Sequence, residues 1–390
     1  MRYGIHSTEH ASIADTWTAI HHTLDRALAE NDIVIITGGL GPTKDDITKK
    51  ALADFFGLEM YFDQDLYDRI AAAFLLRNIP LKDSHRQQCY MPQGIRILAN
   101  GVGTAPGMLF ERDGKYVISL PGVPFEMKNI LQGDGHQFFS SLNSSFPYFQ
   151  RTIMTAGQGE TTIADQIDDI LDAMPPNFKI AYLPSYGSVR LRVSSTEAAG
   201  PDVMQQGQAI VDQLVERLGT LVFGYDDEPL AQAVGRLIAD RGWMLALAES
   251  CTGGYMSHMI TSIAGSSAYY SGGVVAYSNA VKAEMLSVDP KIIADHGAVS
   301  EATVRAMLEG VLNQLNSDIG ISISGIAGPG GGTPDKPVGM IWVAYGQADD
   351  VRTKQLFINR NRDINIKYAS HVALNLLREY IIETGGMTPS

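Results

Sequence analysis

The chain has 390 residues, 45% of them hydrophobic and 19% charged, enough for two or three domains of ordinary globular composition. Its 43 acidic against 30 basic residues give a formal net charge of -13, with no lysine–arginine cluster to offset it, which disfavours a nucleic-acid partner. The two cysteines, Cys89 and Cys251, lie far apart without metal-ligand spacing, so neither a disulfide framework nor a zinc site is implied and a cytoplasmic location fits. No apolar run is long enough to span a bilayer, so no membrane partner is expected.

Residues 13–30 repeat apolar side chains at Ile13, Trp17, Ile20, Leu24 and Leu28, the spacing of a helix. A continuous apolar run over 32–36 suits a buried parallel strand. It delivers the chain into Thr37-Gly38-Gly39-Leu40-Gly41-Pro42-Thr43-Lys44-Asp45-Asp46 and a helix over 47–56. Strand, glycine loop and helix start make an anion-binding construction, although the loop lacks the Gly-Lys-Ser/Thr ending of a triphosphate loop. Asp45 and Asp46 read equally as dipole-complementing residues of the helix's first turn and as metal ligands beside a phosphate.

Residues 150–225 read as a small α+β module. A helix opens by capping at Gln158-Gly159-Glu160-Thr161-Thr162-Ile163, Pro175-Pro176 ends it, 188–194 (SVRLRVS) alternates as a half-exposed strand, and a second helix covers 202–218. No catalytic constellation occurs in it, so it is expected to be a spacer or oligomerisation unit.

A helix over 230–241 opens the last domain. The strand-like run 244–248 then turns through Glu249-Ser250-Cys251-Thr252-Gly253-Gly254 into an amphipathic helix near Tyr255. Such a turn presents hydroxyls and backbone N–H groups to one spot, where the helix dipole favours an anion or a developing oxyanion. For this stretch alone the plainer reading stays open, that Ser250 and Thr252 cap the helix and the glycines close the turn. A strand over 273–277 leads to Ser278, Asn279 and, one turn on, Lys282. Partial burial against a helix N-terminus would lower the pKa of Lys282 toward that of a general base for a Ser–Lys pair, whereas exposure would make it an ordinary surface lysine. A period-two strand over 319–323 enters Ser324-Gly325-Ile326-Ala327-Gly328-Pro329-Gly330-Gly331-Gly332, a glycine-rich loop able to approach a ligand closely. A helix over 364–382 closes the domain, and the tail is expected to be disordered. None of the nine histidines falls in a ligand spacing, and His258 and His296 read as surface or capping residues.

AESCTGG, AGSSAYYSGGVVAYSNAVK, HGAVSE and SGIAGPGGG-x(4)-PVG, spread over 248–339, closely resemble the C-terminal domain of the competence-damage protein CinA family, and the resemblance covers nearly all of 226–383. It implies hydrolysis of the carboxamide of nicotinamide mononucleotide (NMN) to nicotinate mononucleotide and ammonia, without a cofactor. By the same resemblance Ser250 is the nucleophile, Lys282 its base and Tyr277 an assisting hydroxyl, while Thr252, Gly253, Gly254, Asn279, Ser324, Gly325, Ala327 and Gly328 border the substrate. Family members end the domain with an Asp-Arg pair and a further arginine one turn on. Here Asn359-Arg360-Asn361-Arg362-Asp363 registers in two ways and the second position falls on Ile366 or Lys367, so Arg362 is one of several basic groups able to hold the substrate phosphate.

TGGLGPTKDD, Asn100-Gly101-Val102-Gly103-Thr104-Ala105-Pro106-Gly107 and Leu120-Pro121-Gly122-Val123-Pro124-Phe125-Glu126-Met127 resemble the N-terminal half of the same family, a relative of the molybdopterin-binding fold. This implies metal-dependent ADP-ribose pyrophosphatase activity in some members, with Gly38, Gly39, Gly41 and Thr43 lining phosphates and Asp46 holding a divalent metal. The family's opening strand, its Gly-Thr/Asp-Glu-Leu-Leu loop and the helix after it have no counterpart here. The sheet is therefore expected to lack an internal strand and the site an acidic wall, either because the start codon is placed too far downstream or because this half is a scaffold.

These readings give an α/β chain of three modules: a truncated molybdopterin-binding-like parallel-sheet domain over 1–145, a small α+β linker domain over 150–225, and an α/β amidohydrolase domain over 226–383, with a flexible tail over 384–390. The expected partners are a small nucleotide substrate and a second copy of the chain in a homodimer. A function of another class, a scaffold that holds nucleotides or a pterin without turning them over, is separated from the enzyme by ammonia release from NMN.

Overall fold

Runs of alternating and continuous apolar residues build two units, 1–147 and 148–390, in the computed structural model, which describes residues 5, 7–41, 46–76, 78–142, 148–198 and 200–385. The first unit comprises α1 (Trp17–Glu30), β1 (Ile33–Thr37), α2 (Thr48–Phe56), β2 (Met60–Phe62), α3 (Gln64–Leu76), α4 (Asp83–Gln88), β3 (Tyr90–Pro92), β4 (Arg96–Leu98), β5 (Gly107–Arg112), β6 (Lys115–Leu120), α5 (Pro124–Ile130) and α6 (His136–Leu142). Its main sheet runs β1-β6-β5-β4, with parallel pairing only between β1 and β6 and antiparallel pairing in the rest. Helix α1 begins where the Thr16 hydroxyl accepts the Ala19 N–H, and it buries Ile20, Leu24 and Leu28 as the spacing predicts. Ile13, expected on that face, precedes the cap and stands 45% exposed.

The second unit opens with β7 (Tyr148–Ala156), α7 (Glu160–Asp172), β8 (Phe178–Ser185), β9 (Ser188–Ala198), α8 (Pro201–Leu218) and β10 (Val222–Tyr225). The β-α-β-β-α-β order gives a sheet β10-β7-β9-β8 with every neighbour antiparallel. Alternation in β9 turns Val189, Leu191 and Val193 into a core with Ile163 and Ile167 of α7 and Val211 and Leu214 of α8, which puts Arg190 and Arg192 on the opposite face. The expected side-chain cap of α7 is absent, since Gly159 is its N-cap and no side chain bonds there.

The chain continues through α9 (Leu230–Ala239), β11 (Leu245–Glu249), α10 (Tyr255–Thr261), β12 (Tyr270–Val275), α11 (Asn279–Leu286), α12 (Pro290–His296), α13 (Glu301–Leu315), β13 (Ile319–Gly325), β14 (Met340–Gln347), β15 (Asp350–Phe357) and α14 (Arg362–Thr384). The sheet order is β12-β11-β13-β14-β15, parallel across the first three strands and antiparallel beyond. Leu245 and Leu247 face a core shared with α9, α10 and α14, whereas Ala246 and Ala248 face α11 and α13, so the sheet lies between two helical layers. Helix α14 runs two residues past the predicted end, and 386–390 of the expected tail lie outside the described residues.

Packing does not break at the boundary near 225. Met154 and Ala156 of β7 and Phe223 of β10 belong to the same core as Leu230, Leu247 and Leu374. Buried Arg378 of α14 donates to the Thr220 carbonyl at 2.7 Å and the Val222 carbonyl at 3.3 Å, tying the middle sheet to the last helix. Among the described residues, no helix is long and apolar enough to cross a membrane.

Candidate functional site

The order of the last sheet decides where a ligand can enter. From β11 the chain crosses through α10 to β12 on one side, and then through α11, α12 and α13 to β13 on the other. The carboxyl end of β11 is therefore a topological switch point, where the two connections diverge and leave a crevice. Ser250 follows directly on β11 there, with Tyr277 two residues after β12 and Ser324 next to the last residue of β13.

Glu249, the last residue of β11, is 0% exposed. Its Oε2 accepts the N–H groups of Gly254 at 3.0 Å and Met256 at 3.1 Å, and its Oε1 accepts the N–H of Ser257 at 2.7 Å and the Ser257 hydroxyl at 2.6 Å. These bonds correct the sequence reading. The start of α10 is not an open anion cradle, because a carboxylate of the chain already satisfies its donors, and neither Ser250 nor Thr252 caps it. The Ser250 N–H goes to the Ile323 carbonyl and the Gly253 N–H to the Ser250 carbonyl, while those of Cys251 and Thr252 have no carbonyl acceptor among the described residues. Thr252 is buried and its Oγ1 has no hydrogen-bond partner. Cys251, beside the serine, has its thiol pushed up to about 12 by burial, so it stays protonated and is a poor nucleophile.

Lys282 is 1% exposed, which settles its alternatives against the surface lysine. The Ser278 hydroxyl accepts the Val281 N–H and starts α11, whose first turn aims Lys282 inward. Its Nζ lies 3.0 Å from Ser250 Oγ, 2.7 Å from the Ala276 carbonyl and 3.4 Å from the Tyr277 carbonyl. No carboxylate pairs with it among the described residues. Desolvation by burial lowers its pKa below the ordinary lysine value.

Tyr277 is 64% exposed, and its hydroxyl accepts from Arg362 Nη2 at 3.3 Å, so the structure brings its carbonyl rather than its hydroxyl to Lys282. Arg362, the first residue of α14, also donates from Nη1 to the Gly328 carbonyl at 2.9 Å, and so bridges the glycine loop and Tyr277. Of the basic groups left open by the sequence, Arg362 stands at the site, whereas Lys367 pairs with Asp363 at 2.8 Å. Asn365, missed in the sequence, is fully buried and donates to the carbonyls of Ala327 and Arg360, both at 3.0 Å, fixing the loop to α14. Ser324 is not free for a ligand, since its hydroxyl donates to the Ala298 carbonyl at 2.7 Å. Gly325 is small for a packing reason, because a Cβ there would come within 2.5 Å of Ile341. Gly328 has φ +89, which a glycine adopts freely. Gly253 and Gly254 close the turn, also with positive φ, and Asn279 is exposed at the start of α11.

In the first unit, Thr43 and Asp45 lie outside the described residues. Asp46 precedes Ile47, the N-cap of α2, so it is outside the first turn in which it was expected. A Cβ at Gly41 would come within 2.6 Å of the Asp46 carboxylate, so Gly41 is small to admit that side chain. Gly38 and Gly39 hold positive φ between β1 and Leu40. Among the described residues, no group of three or more His, Cys, Asp or Glu could hold a metal ion.

The geometry places this chain among α/β proteins that carry a buried Ser–Lys pair at the switch point of a mixed sheet. Residues 227–381 match the CinA C-terminal domain, 150–224 the KH domain of damage-inducible protein CinA, and 1–135 the probable molybdopterin binding domain. A CinA-like protein of Cytophaga hutchinsonii is 41% identical over 385 residues, covering 98% of this chain and 91% of the relative, and one of Chloroherpeton thalassium is 40% identical over 386 residues, covering 97% and 92%. The crystal structure of a CinA superfamily protein from Klebsiella pneumoniae is 36% identical, covering 40% of this chain and 96% of that one, with a TM-score of 0.39. The chain belongs to the CinA family. Its KH segment has no Gly-x-x-Gly loop and carries five Lys and Arg against nine Asp and Glu over 148–225, so it lacks the clamp with which KH modules grip a nucleic-acid backbone.

Proposed function

We propose that the last domain hydrolyses the carboxamide of NMN, giving nicotinate mononucleotide and ammonia. The observation that carries this reading is the 3.0 Å contact between Lys282 Nζ and Ser250 Oγ, both buried. A neutral lysine has two N–H bonds and one lone pair. The carbonyls of Ala276 and Tyr277 take the two N–H bonds, which leaves the lone pair for the Ser250 hydroxyl. Lys282 then removes the Ser250 proton as Oγ bonds to the carboxamide carbon, and the carbonyl electrons move onto oxygen. The N–H groups of Cys251 and Thr252 and the unpartnered Thr252 hydroxyl are the donors available to that oxyanion. Collapse breaks the C–N bond, and the Lys282 ammonium returns its proton to the leaving nitrogen, which departs as ammonia. Water adds to the Ser250 ester, Lys282 takes its proton, and Ser250 leaves as a hydroxyl. Arg362, anchored on Gly328, supplies the charge for the substrate phosphate.

The first unit carries no step in this reaction. Ammonia release from NMN by the purified chain, followed with a coupled glutamate dehydrogenase assay, tests the reading. Turnover that disappears in Ser250→Ala is expected. NMN binding without ammonia release would leave the nucleotide-holding scaffold as the function.

A further inference from the structure

The face of the middle sheet turned away from α7 and α8 carries two arginines two residues apart, Arg190 and Arg192. Neither guanidinium has a hydrogen-bond acceptor or a carboxylate partner among the described residues, and the Nε of each is cut off from solvent and unbonded. Buried donors are normally satisfied, and like charges on adjacent positions of one face repel, so such a pair calls for an anion. Arg190 lines a cleft of about 470 Å³ between the middle sheet and the last domain, within the range of roughly 300–1,000 Å³ for small-molecule sites. Met154, Phe223 and Met259 form an apolar wall in it, and Ser188 lies beside Arg190. Pro229, Leu230 and Ala231, the uncapped start of α9, line it too.

The other charged groups of the cleft do not neutralise the arginines. Glu228 is taken by Arg236, and Asp227 stands exposed with no bond to either arginine. Burial lowers the pKa of His371, whose Nδ1 meets the Lys367 carbonyl, so this ring is neutral near pH 7. None of Ser250, Lys282, Tyr277 and Arg362 lines the cleft.

We propose that this cleft is a second ligand site, distinct from the Ser250 site, which binds a small phosphate monoester with its phosphate on Arg190 and its organic body against Met154, Phe223 and Met259; Arg192, on the same face of the strand, adds positive charge without lining the cleft. The occupant bridges the middle sheet to α9, α10 and α14, and α10 is the helix that Glu249 fastens to the Ser250 turn.

The test uses the full chain carrying Arg362→Gln, which removes the phosphate-holding group of the Ser250 site. It is titrated calorimetrically with ribose 5-phosphate, inorganic phosphate and ribose. Saturable binding of the two phosphates and none of ribose is expected, weakened at least tenfold when Arg190→Gln is added, with tighter binding of the ester than of inorganic phosphate. A measurement free of substitutions accompanies it: ribose 5-phosphate should slow phenylglyoxal modification of Arg190 in the wild-type chain, read residue by residue by mass spectrometry. Absence of saturable binding in the Arg362→Gln chain, binding indifferent to Arg190→Gln, or an unprotected Arg190 would overturn the proposal.

Discussion

Replacing Glu249 with glutamine should loosen the turn that carries Ser250. The carboxylate accepts four bonds, two on each oxygen, from Gly254, Met256 and Ser257. An amide keeps one accepting oxygen, and its NH2 is best tolerated at the Oε1 position, because the Ser257 hydroxyl can reverse roles with Tyr270, which donates to it at 2.8 Å. The Ser257 N–H then faces a donor. One buried N–H without an acceptor, together with the weakening of the remaining charge-assisted bonds, should lower the local opening free energy by about 2–3 kcal/mol. At 1.4 kcal/mol per decade this is a roughly 30- to 140-fold rise in amide exchange. Hydrogen-exchange mass spectrometry of peptides covering 250–257 measures it, with peptides of α13 as the internal reference. Exchange in 250–257 unchanged beside that reference would refute the reasoning, because it would mean that the carboxylate does not hold the turn.

Three further outcomes follow from the same geometry. Ser250→Ala should lose at least about two orders of magnitude in ammonia release while its unfolding transition stays in place, measured by initial rates and circular dichroism. Chelation should leave ammonia release from NMN unchanged, since Lys282 is the base that activates Ser250 in the proposed chemistry. Loss of activity with EDTA and its return with added metal would displace the Ser–Lys assignment. Iodoacetamide at pH 8 should leave Cys251 unlabelled in the folded chain and label it after unfolding, because burial pushes its thiol up to about 12.

Strand-to-loop-to-helix punctuation was enough to read the last sheet and its two loops, because continuous apolar runs such as 245–248 occur where a strand is covered on both faces. The roles of Ser250 and Lys282 rest on family resemblance, since the spacing alone favours a surface lysine at 282. The role of Glu249 is not legible in the sequence, because its partners are chiefly backbone N–H groups, which have no sequence signature; an acid ending an otherwise apolar strand is the one clue. Asn365 and Arg378 were hidden for the same reason, as both are buried in α14 and bond chiefly to carbonyls of distant segments. Periodicity also could not show that Met154 and Phe223 pack into the core of the last domain, because alternation gives the face of a strand and not what covers it.

The central claim, that Lys282 is the base for Ser250, is tested most directly by the pH dependence of kcat for NMN in the wild-type chain and in Lys282→Arg. Burial lowers the Lys282 pKa, and only the neutral amine accepts a proton, so kcat should rise with pH through a value below that of an ordinary lysine and then level off. Arginine keeps the charge but cannot release its proton at ordinary pH, so Lys282→Arg should bind NMN and turn over almost none of it at any pH. A substantial kcat in Lys282→Arg with a raised KM, or a wild-type kcat indifferent to pH across that range, would contradict the account and make Lys282 a binding residue.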